Sequence, residues 1–129
     1  MADEEPDDMA RELYEAGRAA LQANDLETAI RQLEESIAQY PHFKALELLG
    51  EAWLKKGEPQ KALVPLAAAA TLNGQVRAPS LLAEALLALG NEVEAYRIAQ
   101  LALSRDASNK KAQAVADATR AAHQAWTVL

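Results

Sequence analysis

FKALELLGEAWLKKGEPQKALVPLAAAATLNGQ, residues 43–75, decides the reading of this chain. Leu46, Leu49, Gly50 and Trp53 recur at helical spacing and the run breaks at Gly57. Pro59 then opens a second helical run at the position where its missing N–H does no harm. The flanking segments repeat the design without a gap, since residues 10–42 and 76–108 are also 33 residues long. Ala29, Ala62 and Ala95 fall in register, as do Asn24, Gly57 and Gly90, and Leu33, Leu66 and Ala99. A period in this range signals stacked helical hairpins, each burying its apolar face against the next.

The pattern extends in both directions. A first helix is expected from about Asp8 to Ala23, ended by Asn24-Asp25, with Asp25 as N-cap of the next. Leu26, Ala29, Ile30, Leu33 and Ile37 mark that second helix, which must stop before Pro41 because a residue preceding proline is pushed out of the α region. In the third block Ala78-Pro79 should delay the helix start to Pro79, with its end at Gly90; its partner covers about Asn91–Ser104. A last helix from Asn109 to about Trp126 places Ala112, Val115, Thr119, Ala122 and Trp126 on one packed side. The division is an acidic, disordered tail at 1–8, three blocks within 9–108 and a capping helix in 109–129. The expected class is all-α, an α-solenoid stack of antiparallel helix pairs, seven helices in all.

These blocks resemble the tetratricopeptide repeat, a helix–turn–helix unit of about 34 residues. The resemblance covers residues 10–108 and rests on three sets. They are Leu13, Ala16, Gly17, Ala20, Ala29, Leu33, Ser36 and Pro41; Leu46, Leu49, Gly50, Trp53, Ala62, Leu66 and Ala69; and, more weakly, Pro79, Leu82, Ala83, Leu86, Ala95, Ala99, Ala102 and Ala107. It implies that Gly17, Gly50 and Ala83 lie where paired helices approach closely, and that the final helix shields the last hairpin. It also implies a right-handed superhelical course for the stack, and a protein-interaction scaffold.

Composition narrows the function classes. Half of the residues are hydrophobic and a quarter charged, which suits a folded chain. The net charge of −6 is concentrated in Asp3, Glu4, Glu5, Asp7 and Asp8, leaving a nearly neutral body without the clustered cations that nucleic acid requires. No apolar run reaches the roughly 18 residues of a membrane span, and no secretory signal opens the chain, so the cytoplasm is the expected compartment. With no cysteine, two separated histidines (His42 in a turn, His123 on the capping helix) and no nucleophile elbow, phosphate loop or HExxH pattern, no metal, cofactor or enzymatic activity is expected.

Two surfaces are candidates for partners. The resemblance implies that the first helix of each pair lines a concave groove. Its positions map to Tyr14, Arg18 and Leu21, then Lys44, Glu47, Glu51 and Leu54, then Arg77, Ser80, Glu84 and Leu87. Leu21, Leu54 and Leu87 recur in register, either packing against neighbouring helices or forming a shelf for a peptide from another protein. Tyr14 and Arg18 are the preferred anchors, being of the types that dominate binding hot spots. The resemblance also permits a test of the carboxylate clamp with which some co-chaperones grip the acidic C-terminus of heat-shock chaperones. Its positions hold Tyr14, Arg18, Leu48, Arg77 and Leu81 here, and only Arg77 keeps a required cation, so negligible affinity for a free acidic terminus is expected. The second surface is the uncharged helix after Lys61. Val64, Pro65, Ala67 and Ala68 should face outward there and Pro65 should kink it, giving either a plain alanine-rich face or a patch for homodimerisation or docking.

Overall fold

The computed structural model describes residues 8–128, which form seven α-helices and no strand. They are α1 (Asp8–Gln22), α2 (Leu26–Gln39), α3 (Phe43–Lys55), α4 (Pro59–Leu72), α5 (Arg77–Ala88), α6 (Glu92–Arg105) and α7 (Lys110–Thr127). α1 opens at Asp8, so that residue belongs to the helix rather than to the acidic tail. The rest of the expected tail, residues 1–7, lies outside the described residues.

The turns inside the hairpins share one construction. Asn24, Gly57 and Gly90 all have positive φ, at 61°, 84° and 80°. The N–H after each reaches back five residues to a helical carbonyl: Asp25 to Ala20, Glu58 to Trp53 and Asn91 to Leu86. This left-handed exit satisfies the last carbonyls of the helix, and Gly or Asn enters it with the least strain. The following helix is capped at once by Asp25 Oδ1 on the Thr28 N–H, by Asn91 Oδ1 on the Glu94 N–H, or by Pro59 in the first position. Residue type at three positions per block therefore dictates where the chain folds back.

Packing follows the small-residue register. A Cβ on Gly17 would lie 2.7 Å from Leu33 Cγ, and one on Gly50 would lie 2.3 Å from Leu66 Cγ. Both leucines are fully buried, so each occupies the space its glycine leaves. In the third hairpin the same register carries Ala83 and Ala99, both in one core cluster. Trp53 packs against this cluster and against that of the first hairpin, joining the two. Arg105 fastens the connection between α4 and α5 by donating to the carbonyls of Ala70, Asn73 and Gln75.

Contacts between hairpins give the stack its curvature. α1 meets α3, α3 meets α5 and α5 meets α7, whereas α2, α4 and α6 do not meet one another. The odd-numbered helices therefore line the concave side of an α-solenoid and the others splay over its convex side.

Four local expectations need correction. α5 starts at Arg77, not Pro79, because a proline in the first turn removes an N–H that has no helical partner anyway. α4 runs unbroken through Pro65, and that residue is buried rather than outward-facing. Ala68 is half-buried against a core cluster, so only Val64, 78% exposed, and Ala67 remain of the expected outer patch. Trp126 is exposed instead of packed. α6 starts at Glu92, and His123 of α7 stacks on its Tyr96 at 4.3 Å; Trp126 lies three residues farther along α7.

Candidate functional site

The predicted groove residues lie on α1, α3 and α5, but not all as exposed side chains. Leu21 is buried at 5% exposure and belongs to the core of the first hairpin. Leu54 and Leu87 are half-buried against the core of the third. The leucine strip is therefore mainly packing between hairpins, which leaves no continuous apolar shelf. Ser80 is also covered: at 2% exposure it donates to Asn109 Oδ1, the N-cap of α7, at 3.2 Å. Tyr14 and Glu47 are half-buried, while Arg18 and Lys44 are exposed.

The charges of the groove mostly answer one another. Glu47 and Glu51 stand one turn apart on α3 and both accept from Arg77 of α5, Glu47 Oε2 at 2.8 Å from Nη1 and Glu51 through Nη2. Lys55 adds a contact of 3.4 Å to Glu51. Burial alone would raise the Glu51 carboxyl, but the Arg77 hydrogen bond and charge, with help from Lys55, hold it below the usual carboxylate range. Burial likewise opposes the Arg77 cation, yet its two carboxylate partners raise its pKa. The one clamp-type cation is thus already matched by this protein's own carboxylates. Farther along, Glu84 Oε2 lacks a hydrogen bond but lies 3.5 Å from Lys111 Nζ, an ion pair through charge alone.

Two recesses meet at Tyr14. One, of about 240 Å³, is walled by Arg18, Gln22, Leu48, Glu51, Lys55 and Arg77. The other, of about 180 Å³, lies between the start of α1 and the turn into α3 and is lined by Tyr14, Tyr40, His42, Ala10 and Ala45 among others. Burial pushes the Tyr14 phenol above its ordinary pKa, against the nearby Arg18 charge. The residues of α7 and of the turn escaped the sequence-based site. A third recess of about 360 Å³ is bounded by Arg77, Ser80, Lys110 and Lys111, and the helix capping the stack gave no reason to place its lysines on the concave side. Tyr40-Pro41-His42 carried a usable signal: two rings flanking a turn that joins two hairpins.

His42 is more than a solvated turn residue. Its Nδ1 accepts from the Lys44 N–H at 3.2 Å, making it the N-cap of α3, and its ring lies 4.9 Å from that of Phe43. Burial and the Lys44 charge pull the imidazole below its ordinary pKa of 6.5. Because the folded value is depressed, the unfolded chain binds the proton more tightly. The cap is complete above the unfolded pKa and is lost as pH falls through the lower folded one. Between pH 7 and pH 5, wild type should lose stability relative to His42→Asn, whose side-chain oxygen caps at either pH. Urea titrations at both values check this, and parallel pH dependence of the two proteins would contradict it.

Known proteins with this architecture place the site in context. The sequence pattern of the tetratricopeptide repeat matches residues 14–80, more than half of the chain. The Sgt2 TPR domain from Aspergillus fumigatus superposes with a TM-score of 0.84 at 15% identity, over 98% of this chain and 87% of that one. The first TPR of Spaghetti (RPAP3), bound to the HSP90 peptide SRMEEVD, gives 0.83 at 20% identity, over 88% and 92%. PcrH of Pseudomonas aeruginosa, in complex with the chaperone binding region of PopB, gives 0.74 at 22% identity, over 89% and 94%. At such identities the likeness establishes the fold alone. No curated protein matches the sequence significantly. Among the described residues no helix is long and apolar enough to cross a membrane. The repeat pattern over 14–80, in a chain whose described residues form seven helices paired and stacked as that pattern requires, makes this chain a member of the tetratricopeptide repeat family.

Proposed function

We propose that this protein is a non-enzymatic scaffold that captures a segment of another polypeptide in its concave groove. Three hairpins, at 10–42, 43–75 and 76–108, build the groove and the helix within 109–129 caps it. The observation that carries this reading is the pair of recesses joined at Tyr14, with the exposed Arg18 at their edge. Two proteins of the same fold support it, one bound to an HSP90 peptide and the other to a region of PopB. The binding mode must differ from a carboxylate clamp, because Arg77 is held by Glu47 and Glu51 and the other clamp positions lack the required groups.

A second reading rests on Val64, whose 78% exposure on the convex face suits self-association. One comparison separates the two. A Tyr14→Ala, Arg18→Glu variant should lose about tenfold or more of any polypeptide that wild type enriches, scored by quantitative mass spectrometry. It should leave mass by light scattering unchanged. Val64→Glu with Ala67→Glu should retain capture. Equal capture by the Tyr14, Arg18 variant rejects the groove, and loss of a wild-type dimer in the Val64, Ala67 variant favours the convex face.

A further inference from the structure

We propose that the Asn73–Gly74 junction between α4 and α5 is a latent site of spontaneous deamidation, held unreactive by Arg105. Of the four asparagines only Asn73 precedes a glycine. No side chain shields the Gly74 nitrogen, and a Cβ built there would meet nothing within 4 Å. Asn73 caps the end of α4 and stands in the connection 73–76, outside any helix.

The chemistry needs only the main chain and water. The Gly74 nitrogen gives up its proton and attacks Cγ of Asn73, and the side-chain nitrogen leaves as ammonia while a five-membered imide closes. Water then opens the ring at either carbonyl, leaving aspartate or isoaspartate at position 73. The isoaspartyl product lengthens the main chain by one carbon shortly before Arg77, the residue that matches Glu47 and Glu51 in the groove.

The folded geometry opposes the attack. Ring closure requires the Gly74 nitrogen to swing into line with Cβ of Asn73 about the Cα–C bond. At φ −144° and ψ 139° the extended backbone of Asn73 turns that nitrogen away from its own side chain. Three hydrogen bonds hold it so. Arg105 Nη1 donates to the Asn73 carbonyl at 3.3 Å and to the Gln75 carbonyl at 3.0 Å, gripping the chain on both sides of Gly74. The Gln75 N–H donates to Asn73 Oδ1 at 2.8 Å, an Asx-turn that fixes the side chain. The guanidinium is anchored in turn on the Ala70 carbonyl, 3.4 Å from each of its terminal nitrogens. Rotation of ψ towards the reactive geometry carries the Asn73 carbonyl off Arg105 and moves Gln75 with it. Bonds from a cation are stronger than neutral ones, so a local opening of this loop must break the strongest of its ties first.

Wild type, Arg105→Ala, Ile30→Val and a blocked peptide of residues 62–77 are incubated in mildly alkaline buffer. Tryptic peptide 62–77 is then followed by mass spectrometry for the mass gain of an amide-to-acid change. The free peptide should react about tenfold or more faster than wild type, and Arg105→Ala should close most of that gap, the factor expected for losing one charge-assisted bond. Ile30→Val costs a comparable amount of stability in the core of the first hairpin and should leave the rate at Asn73 near that of wild type. If Arg105→Ala loses its helical circular dichroism, Arg105→Lys replaces it; a single ammonium keeps the charge without the fork, and its rate should lie between the extremes. An unreactive free peptide overturns the inference, as does wild type reacting as fast as the peptide, or an Arg105 variant no faster than wild type. Equal acceleration by Ile30→Val also overturns it, because reaction would then follow unfolding of the whole chain and not release of Arg105.

Discussion

Gly50→Ala should destabilise the protein by about 2 kcal/mol, and combining it with Leu66→Ala should give far less than the sum of the two changes. Alanine normally improves a helix over glycine by about 1 kcal/mol, so the expected sign already runs against local propensity. It does so because the new Cβ would sit 2.3 and 2.4 Å from Leu66 Cγ and Cδ2. Leu66 cannot swing away, being fully buried against the core. Leu66→Ala alone leaves a cavity and should cost about 3 kcal/mol. In the double variant the methyl at position 50 enters that cavity, which is the pairing the third hairpin already uses with Ala83 and Ala99. A coupling of about 2 kcal/mol in a urea-denaturation double-mutant cycle is expected. Additivity would show that Gly50 and Leu66 do not share one space.

Arg77→Ala should cost about 2 kcal/mol at pH 7 and much less at pH 3. The ion pair is not a fully exposed one worth a fraction of that, because the Glu47 and Glu51 side chains are only 14% and 17% exposed. Nor is it fully buried, since Arg77 keeps 46% of its surface, so the larger penalties of an interior pair do not apply. In wild type the Glu51 pKa is depressed, so its contribution is complete above the ordinary carboxylate value and fades as pH falls through the folded one. Without Arg77 the dominant influence left is burial, which raises that pKa and makes protonation favourable to the folded state. The two stability curves should therefore converge on acidification. A constant offset from pH 7 to pH 3 would mean that Arg77 acts by packing its stem and not through its charge.

Both expectations concern contacts that a scan along the chain finds unevenly. The turns were readable because their causes are local. Asn24, Gly57 and Gly90 announce left-handed exits, Asp25 and Asn91 announce caps, and Pro59 marks a first helical position. Gly17 and Gly50 were readable as close approaches, but not the identity of the leucine filling each gap. Leu21 and Ser80 show the reverse failure. Their register correctly assigns them to the concave helices, yet neighbouring helices cover both. Pro65 misled in another way: proline read as a disturbance of a solvent-facing surface, whereas a buried position accommodates it within an unbroken helix. His42 looked like a turn residue because capping by a ring nitrogen leaves no distinctive spacing.

Residue order alone decides the period of 33, the pairing of helices, the places where the chain reverses and the absence of cysteine chemistry. Each depends on what a residue does within a few positions of itself, or on the identity of residues recurring at one spacing. The character of the groove is decided only in three dimensions. Arg77 meets Glu47 and Glu51 across 30 and 26 residues of chain, and Tyr14 lines one recess with Tyr40 and His42 across a similar span. Stacking brings those groups together, and burial then sets how strongly the matched charges hold one another.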